Sequence, residues 1–598
     1  MKNVYLFQPQ YEIVVGDEIN YWIPYSIGCL WSYVYQYTDI QDSYKLKKLF
    51  YKRDSTEAVL STLENPSVVG FSCYTWNEQY CLGIAKKIKE KWPDCYIIFG
   101  GAQSSGSLIK HDFIDSIVLA EGEESFLEIL RCLNIGGQPD TFYNKKRLDN
   151  LDIPSPYLTG VFDELIIENP QALWAATIET NRGCPYACTF CDWGGTTYSK
   201  IKKFNLERVR QELEWVKNHR VVYLFGADAN FGIFKDRDLE IAKMIKHIAD
   251  GSMIEAVNLQ YAKNNTDTVF EIGKILGNYN RGITVSVQSM NTPTLEAIKR
   301  TNLEINDLSE ILKLSEKYSM STYTEIILGL PLETEDTWKD GVTELLELGQ
   351  HQSIDLSFTE LLENSELNKI EQRNKYGITS INVEHYYNTF IDTEYPETAT
   401  IVNSTSTMTT DEMVSSYIYA WMIIHFHING YTQIFARYLR NIKGVSYRKY
   451  YDCVFENLKN DAVFGKHYSQ LYETLYHYLT TGKLKYNENF YERGYSFHFA
   501  SHEFCYNNKA SIFEIGKTAF KEFYHAVEQI DYAQKIAIFN EDQIFPIDIE
   551  LDFNITTWEE TKTFYTLSNI IDISNKKKLD FWTLRRKNLL RNKFNLKK

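Results

Sequence analysis

Long apolar runs are missing from this 598-residue chain. No stretch approaches the ~20 apolar residues that a membrane-crossing helix needs. The start, Met1-Lys2-Asn3-Val4-Tyr5-Leu6-Phe7-Gln8-Pro9, lacks the apolar centre of a secretion signal and reads as a first strand. Positive charge is short too: the formal net charge is −16, against the broad basic face that nucleic-acid binding requires. The exception is the C-terminal tail, Lys576-Lys577-Lys578 and Arg585-Arg586-Lys587, which reads as a solvated helix end or a docking segment. Most cysteines lack neighbours. Cys29, Cys73, Cys81, Cys95, Cys132, Cys453 and Cys505 are scattered, as buried thiols are in a reducing compartment, and form no disulfide framework. These absences predict a cytoplasmic protein with neither a membrane nor a nucleic acid as partner. The length predicts several domains.

What the chain does have is one concentrated stretch, Gly183-Cys184-Pro185-Tyr186-Ala187-Cys188-Thr189-Phe190-Cys191-Asp192-Trp193. Cys184, Cys188 and Cys191 are spaced so that three thiolates can converge on one face of a tight loop. A structural zinc site wants four protein ligands, so zinc would need a distant residue to complete it. Three cysteines suit a [4Fe–4S] cluster with one iron left open. The preceding Leu173-Trp174-Ala175-Ala176-Thr177-Ile178-Glu179 is apolar and strand-like. The loop therefore sits at a strand's C-terminal end, where barrels and open α/β sheets keep their chemistry.

At these residues the chain resembles the radical S-adenosylmethionine (SAM) enzymes, whose signature is CxxxCxxC with an aromatic before the last cysteine, here Phe190. The resemblance implies SAM chelated at the open iron. It further implies reductive cleavage to a 5′-deoxyadenosyl radical, with the electron from a flavodoxin- or ferredoxin-type donor.

Residues 1–140 alternate strand and helix. Val4–Phe7, Val68–Ser72, Tyr96–Gly101 and Ile117–Ala120 are short apolar runs of the kind found in buried parallel strands. In Tyr80–Trp92, Ile84, Ile88 and Trp92 recur every four residues, predicting a helix. The alternation predicts a Rossmann-like sheet binding its ligand at the strand C-termini. Those ends carry Ser72, Tyr74, Trp76 and Asn77, then Gly100 and Gly101, then Glu121 and Gly122. Glycines there let a backbone approach a bulky ligand; equally, they serve tight turns, and the acids cap a helix. Ahead of the cysteine loop, these segments and Pro24-Tyr25-Ser26-Ile27-Gly28-Cys29-Leu30 resemble the cobalamin-binding domain of cobalamin-dependent radical SAM enzymes. A DxHxxG motif, whose histidine ligates cobalt in many such domains, is absent; His111-Asp112 does not fit it. That leaves the lower axial face unassigned, with the Tyr74–Asn77 loop as candidate. Residues 141–172, with Pro154 and Pro156, resemble the linker between the two domains.

From Trp174 the chain reads as six strand–helix units, with strands near Trp174–Glu179, Val221–Phe225, Ala256–Tyr261, Ile283–Gln288, Tyr323–Leu328 and Ile354–Leu361. The first helix places Leu206, Val209, Leu213 and Val216 on one face behind a cap at Asn205. Six units predict a partial (β/α)6 barrel over residues 173–375, the radical SAM fold. Family likeness assigns SAM contacts, beyond Phe190, to Gly226 and Asp228 after the second strand and to Lys263 in Tyr261-Ala262-Lys263-Asn264. It adds Ser286 and Gln288 on the fourth strand and Gly329 in Ile327-Leu328-Gly329-Leu330-Pro331. Asp228 would take a charge-assisted hydrogen bond from the SAM amine. Arg300 could grip a carboxylate or simply end a helix.

Residues 376–598 read as a mostly helical domain that closes the barrel and shapes the substrate site. His425 and His427, two apart on a helix, point different ways and read as core or surface histidines rather than ligands. The fold class is thus α/β: a Rossmann-like cobalamin domain, a radical SAM barrel and a helical C-terminal domain. The resemblance implies a C-methyltransferase acting on an unactivated carbon of a small molecule or peptide, with [4Fe–4S], SAM and cobalamin as cofactors. A cobalamin-containing radical SAM oxidation or rearrangement enzyme stays open, as does a non-catalytic iron–sulfur redox sensor.

Overall fold

The computed structural model describes residues 1–11, 13–15, 18–144, 147–193, 199–263, 265–303, 305–318, 320–385, 394–483, 501, 504–539, 548–551 and 563–566. Asn264 and the basic runs at 576–578 and 585–587 lie outside the described residues. The first strands in chain order are β1 (Lys2–Gln10), β2 (Ile13–Val15), β3 (Glu18–Trp22), β4 (Tyr44–Lys52), β5 (Pro66–Ser72), β6 (Tyr96–Gly100), β7 (Ser116–Leu119) and β8 (Phe142–Asn144). Six of them form one parallel sheet in the order β4-β1-β5-β6-β7-β8. Aromatic rings stack across it: Phe7 lies 4.1 Å from Phe50 and 4.7 Å from Phe71, and Phe71 lies 4.9 Å from Phe99. Such cross-strand pairs set register as well as stability. The edge strand β4 escaped the sequence reading because its lysines, which protect an exposed edge, break the apolar run. The helix expected at Tyr80–Trp92 runs Glu78–Lys91 and buries Ile84 and Ile88.

The second body contains β9 (Leu173–Ile178), β10 (Asn181–Arg182), β11 (Lys202–Lys203), β12 (Val221–Phe231), β13 (Ala256–Tyr261), β14 (Ile283–Thr284), β15 (Thr322–Leu328) and β16 (Ile354–Phe358). The helix Leu206–Asn218 follows its expected cap, with the Asn205 side chain accepting from the Glu207 backbone N–H. Two features depart from the sequence reading. The fourth strand pairs only at Ile283–Thr284 and then rejoins the sheet through a single bridge from Gln288 to Ile326. The hairpin β2–β3, in the N-terminal stretch, belongs to the barrel sheet, whose order is β13-β12-β9-β3-β2. It pairs the edge of β9 that would otherwise be left open. Trp22 on β3 packs with Ala175, Tyr223, Phe225 and Ala256 in a cluster separate from the main core. The alternate residues of the same strands, Trp174, Leu224 and Val257, face the main core.

Beyond the barrel, β17 (Thr379–Glu384) and β18 (Thr398–Ser404) form an antiparallel hairpin, and Ile401 bridges to Glu360 just past β16. The helix Thr410–Met422 starts at a capping box between Thr409 and Glu412. It continues into a π-helical turn, Ile423–Ile428, that carries both histidines. His427 is fully buried, with Nδ1 at 2.6 Å from the Tyr451 hydroxyl and Nε2 at 2.9 Å from His351 Nδ1. Further helices, Gln433–Lys443, Tyr447–Asn460, Phe464–Thr481, Lys509–Lys521 and Glu528–Phe539, complete a helical layer. Among the described residues no helix is long and apolar enough to cross a membrane.

Candidate active site

The cysteine loop is moored before it begins. The Asp228 carboxylate accepts hydrogen bonds from Thr180 N (2.7 Å), Asn181 N (3.0 Å), Asn181 Nδ2 (3.0 Å) and the Thr180 hydroxyl. Asp228 is 1% exposed, and burial pushes its carboxyl up to about 7 against the pull of those donors. This departs from the expected SAM contact: the carboxylate holds the strand end that launches the loop. Gly226 also has another role. A Cβ there would sit 2.6 Å from the Leu259 side chain, so the glycine lets β12 and β13 pack closely.

In the loop itself, Asn230 Nδ2 donates to Cys184 Sγ at 3.3 Å and Lys263 Nζ donates to Cys188 Sγ at 3.5 Å. Lys263 also lies over the Tyr186 ring at 4.8 Å. Burial, then the neighbouring Arg300, pushes the Lys263 ammonium below its ordinary range. Arg300 is 6% exposed; it donates to the Ser286 carbonyl and, at 2.9 Å, to Asn302 Oδ1, and its charge acts on Cys188 and Cys191. Burial and the fields of Cys188 and Cys184 raise the Cys191 thiol to about 11. The three cysteines are thus neighbours with two cations beside them. Among the described residues no three cysteine, histidine or acidic side chains gather tightly enough for a single metal ion. A cubane takes one thiolate on each of three irons and carries net negative charge, so three neighbouring cysteines with two cations beside them fit it.

The remaining expected SAM residues lie around the same mouth. Ser286 Oγ donates to Glu325 Oε2 at 2.8 Å, and Gln288, 6% exposed, has φ 64. Burial raises the Glu325 carboxyl. Glu325 was overlooked in the sequence, although it alternates with Tyr323 and Ile327 on the less buried face of β15. Phe190 packs half-buried on the core. Gly329 turns toward Met413 of the C-terminal helix, 3.3 Å from where a Cβ would stand.

At the C-terminal end of the first sheet, Tyr74 and Trp76 stack with centroids 4.5 Å apart and planes 4° apart. Ser72 Oγ lies 3.0 Å from Ser26 Oγ, which joins the Pro24–Leu30 helix start to β5. Trp76 Nε1 and Ser104 Oγ are buried without a hydrogen-bond partner among the described residues. Two orphaned donors beside an aromatic platform fit a large polar ligand such as cobalamin. Three of the expected contacts have other partners in the fold. Asn77 is wholly internal, accepting from Tyr74 N at 2.8 Å and donating to the carbonyls of Pro9 and Ser72. Glu121 is taken by the linker, through Arg147 Nε at 3.0 Å and Leu148 N at 2.8 Å. Gly101 has φ 97, and a Cβ there would meet the Cys73 backbone at 2.6 Å, so loop packing explains it without a ligand. Gly100 ends β6, and Gly122 caps the helix Glu123–Asn134. Ser104 carried no signal in the sequence.

Contacts join the two mouths. Arg182, just before the cysteine loop, bonds Glu123 Oε1 at 2.7 Å, and Arg147 Nη1 reaches the Lys200 carbonyl at 3.1 Å. A parallel sheet with an aromatic platform thus adjoins a partial barrel with a three-cysteine loop, the plan of an α/β enzyme with chemistry at its strand ends. The Radical SAM superfamily profile matches residues 178–345. The chain is 32% identical over 489 residues to the cobalamin-dependent radical SAM methyltransferase TokK of Streptomyces tokunonensis, covering 76% of this chain and 71% of the relative. It is 32% identical over 491 residues to the 2-(S-pantetheinyl)-carbapenam-3-carboxylate methyltransferase of Streptantibioticus cattleyicolor, with the same coverages of 76% and 71%. The solved structure of the cobalamin-dependent SAM radical enzyme OxsB shares the fold, with TM-score 0.51 and 14% identity over 98% of this chain and 84% of that one. The chain belongs to the cobalamin-dependent radical SAM methyltransferases. Its cofactors are a [4Fe–4S] cluster, SAM and cobalamin.

Proposed function

We propose that this enzyme methylates an unactivated carbon of a small-molecule substrate held between the barrel mouth and the ends of the first sheet. When bound, the cluster with SAM supplies a hydrogen-abstracting radical and cobalamin supplies the methyl group. The chain's own residues do the rest. Cys184, Cys188 and Cys191 would hold the cluster, with Lys263 and Arg300 balancing its negative charge. Phe190, Ser286, Gln288, Glu325 and Gly329 would position SAM. Tyr74 and Trp76 would present a flat face to the lower side of cobalamin, with Ser72 and Ser104 at its rim. The helical layer and the β17–β18 hairpin would keep water from the radical. An electron would come from a flavodoxin- or ferredoxin-type carrier in a reducing compartment, a setting in keeping with the unpaired thiols outside the cluster loop.

The observation that carries this reading is two strand-end regions joined by direct contacts, one with three cysteines beside two cations and one with orphaned donors beside stacked aromatics. The named relative makes a pantetheinyl-bearing carbapenam carboxylate the first substrate to assay. The test is anaerobic turnover of the reconstituted enzyme with that compound and methyl-labelled SAM. Labelled product, with 5′-deoxyadenosine and S-adenosylhomocysteine in equal amounts, is expected. Product formed with 5′-deoxyadenosine alone would overturn methyl transfer, and loss of cluster iron in Cys184→Ala, Cys188→Ala and Cys191→Ala checks the ligands.

A further inference from the structure

The segment that leaves β16 touches both mouths within a few residues. Asn364 Nδ2 donates to the carbonyls of Ala102 and Ser104, each at 2.9 Å, and Ser105 Oγ donates to Glu363 Oε1 at 2.7 Å. These three partners form the loop after β6, where the Ser104 hydroxyl is buried without a hydrogen-bond partner among the described residues. Three residues further on, Leu367 N donates to the Thr189 carbonyl at 2.7 Å, inside the cysteine loop between Cys188 and Cys191. Glu366 pairs with Lys299 at 2.7 Å, and Ile298 beside it accepts from Thr189 N at 3.0 Å. Leu367 is fully buried and locks that end. From Asn364 to Leu367 the backbone can span no more than about 11 Å.

We propose that Leu361–Asn368 is a strap that fixes the spacing between the two cofactor mouths, with Asn364 as its positioning residue on the first-sheet side. The proposal rests on the function proposed above. A carbon that loses hydrogen at one mouth must take a methyl group from the other, so both must reach the same atom. Misplacement of about 1 Å can cost on the order of 100-fold in such steps. A slack strap would leave radical formation intact and spoil the transfer that follows. Asparagine suits the post because one amide nitrogen offers two N–H donors to two carbonyls, whereas an aspartate carboxylate offers none.

The test is Asn364→Asp, with Asn364→Ala beside it; the side chain is exposed, so the core is untouched. In the reconstituted variants, 5′-deoxyadenosine formed per methylated product should rise on the order of tenfold over wild type. Cluster iron and substrate-free SAM cleavage should stay at wild-type levels. In the cofactor-free proteins, amide hydrogen exchange at residues 102–105 should accelerate on the order of tenfold. Wild-type stoichiometry together with wild-type exchange would overturn the proposal. If wild-type enzyme itself made no S-adenosylhomocysteine, the functional reading would fall, while the exchange measurement would still report on the strap.

Discussion

Arg53 and Glu397 are 344 residues apart in sequence, yet their side chains meet at 2.5 Å with only 3% and 0% of their surface exposed. Arg53 also donates to the carbonyls of Trp76 (3.1 Å) and Tyr395 (2.8 Å). Glu397 accepts from Gln79 N at 2.7 Å and Tyr80 N at 3.1 Å, at the start of the helix that follows the Trp76 loop. One ion pair thus pins the C-terminal hairpin to the loop with the aromatic platform.

Breaking it from one side leaves a buried charge. Arg53→Met should cost about 3–5 kcal/mol in urea unfolding. The double variant Arg53→Met/Glu397→Leu should recover part of that loss. A single variant as stable as wild type would mean the pair contributes nothing.

Lys263 places a cation 3.5 Å from Cys188 Sγ. Adding an electron to a cluster is easier beside positive charge, so Lys263→Met should move the cluster's midpoint potential to more negative values. Lys263→Arg should restore most of it. Redox titration followed by EPR reads the shift, and an unchanged or raised potential would count against the placement.

Asp228 serves four donors at the foot of the cysteine loop. Asp228→Asn keeps the shape but turns a donor toward donors. Above pH 8, where the carboxyl raised to about 7 is ionised, the variant should lose about 1.5–3 kcal/mol, as for a hydrogen bond to a charged group. It should also shed cluster iron faster on dilution. Full stability with selectively weakened SAM binding would return Asp228 to the ligand set.

Protonation of its buried histidines should weaken the fold. His467 is 2% exposed, stacks on Phe504 at 3.9 Å, and is pushed down to about 3 by burial. Burial likewise lowers His385 to about 4 and depresses His351 and His427 well below 6.5. Between pH 6.5 and those values the unfolded chain binds more protons, so stability is full above pH 6.5 and falls as pH drops through the window. The slope approaches about 1.4 kcal/mol per pH unit for each such histidine. Buried carboxyls such as Asp228, raised to about 7, act in the opposite sense over the same range, so the histidine contribution is read as a difference: the urea midpoint of His467→Leu relative to wild type should rise as pH goes from 7.5 to 6.0 to 5.0. A difference that does not change with pH would place the His467 ring in contact with water.

Much of the fold was legible because parallel strands buried on both faces leave apolar runs that need no knowledge of their partners. The strands at Val68–Ser72 and Ala256–Tyr261 were readable for that reason. The lysine-rich β4 and the β2–β3 hairpin were not, because an edge strand is defined by the neighbour it covers. At the site, three cysteines at short spacing announced themselves. Asp228, Glu121 and Asn77 each read as a ligand contact, yet Asp228 bonds Thr180 and Asn181, Glu121 bonds Arg147 and Leu148, and Asn77 bonds Pro9 as well as its neighbours Tyr74 and Ser72. Ser104, Glu325 and Asn364 are ordinary polar residues until folding sets them beside a loop or a carboxylate.

By itself, the sequence determined the chemistry within reach: a cluster loop at a strand's end, a second sheet ahead of it, and a helical remainder. Local spacing and periodicity suffice for those, since they act over a few residues. Only the tertiary structure decided which polar groups are free for cofactors and how the two mouths are held in register. Hydrogen-bond capacity is finite, and which partner uses it depends on contacts between residues hundreds of positions apart, such as Arg53 with Glu397 and Asn364 with Ala102.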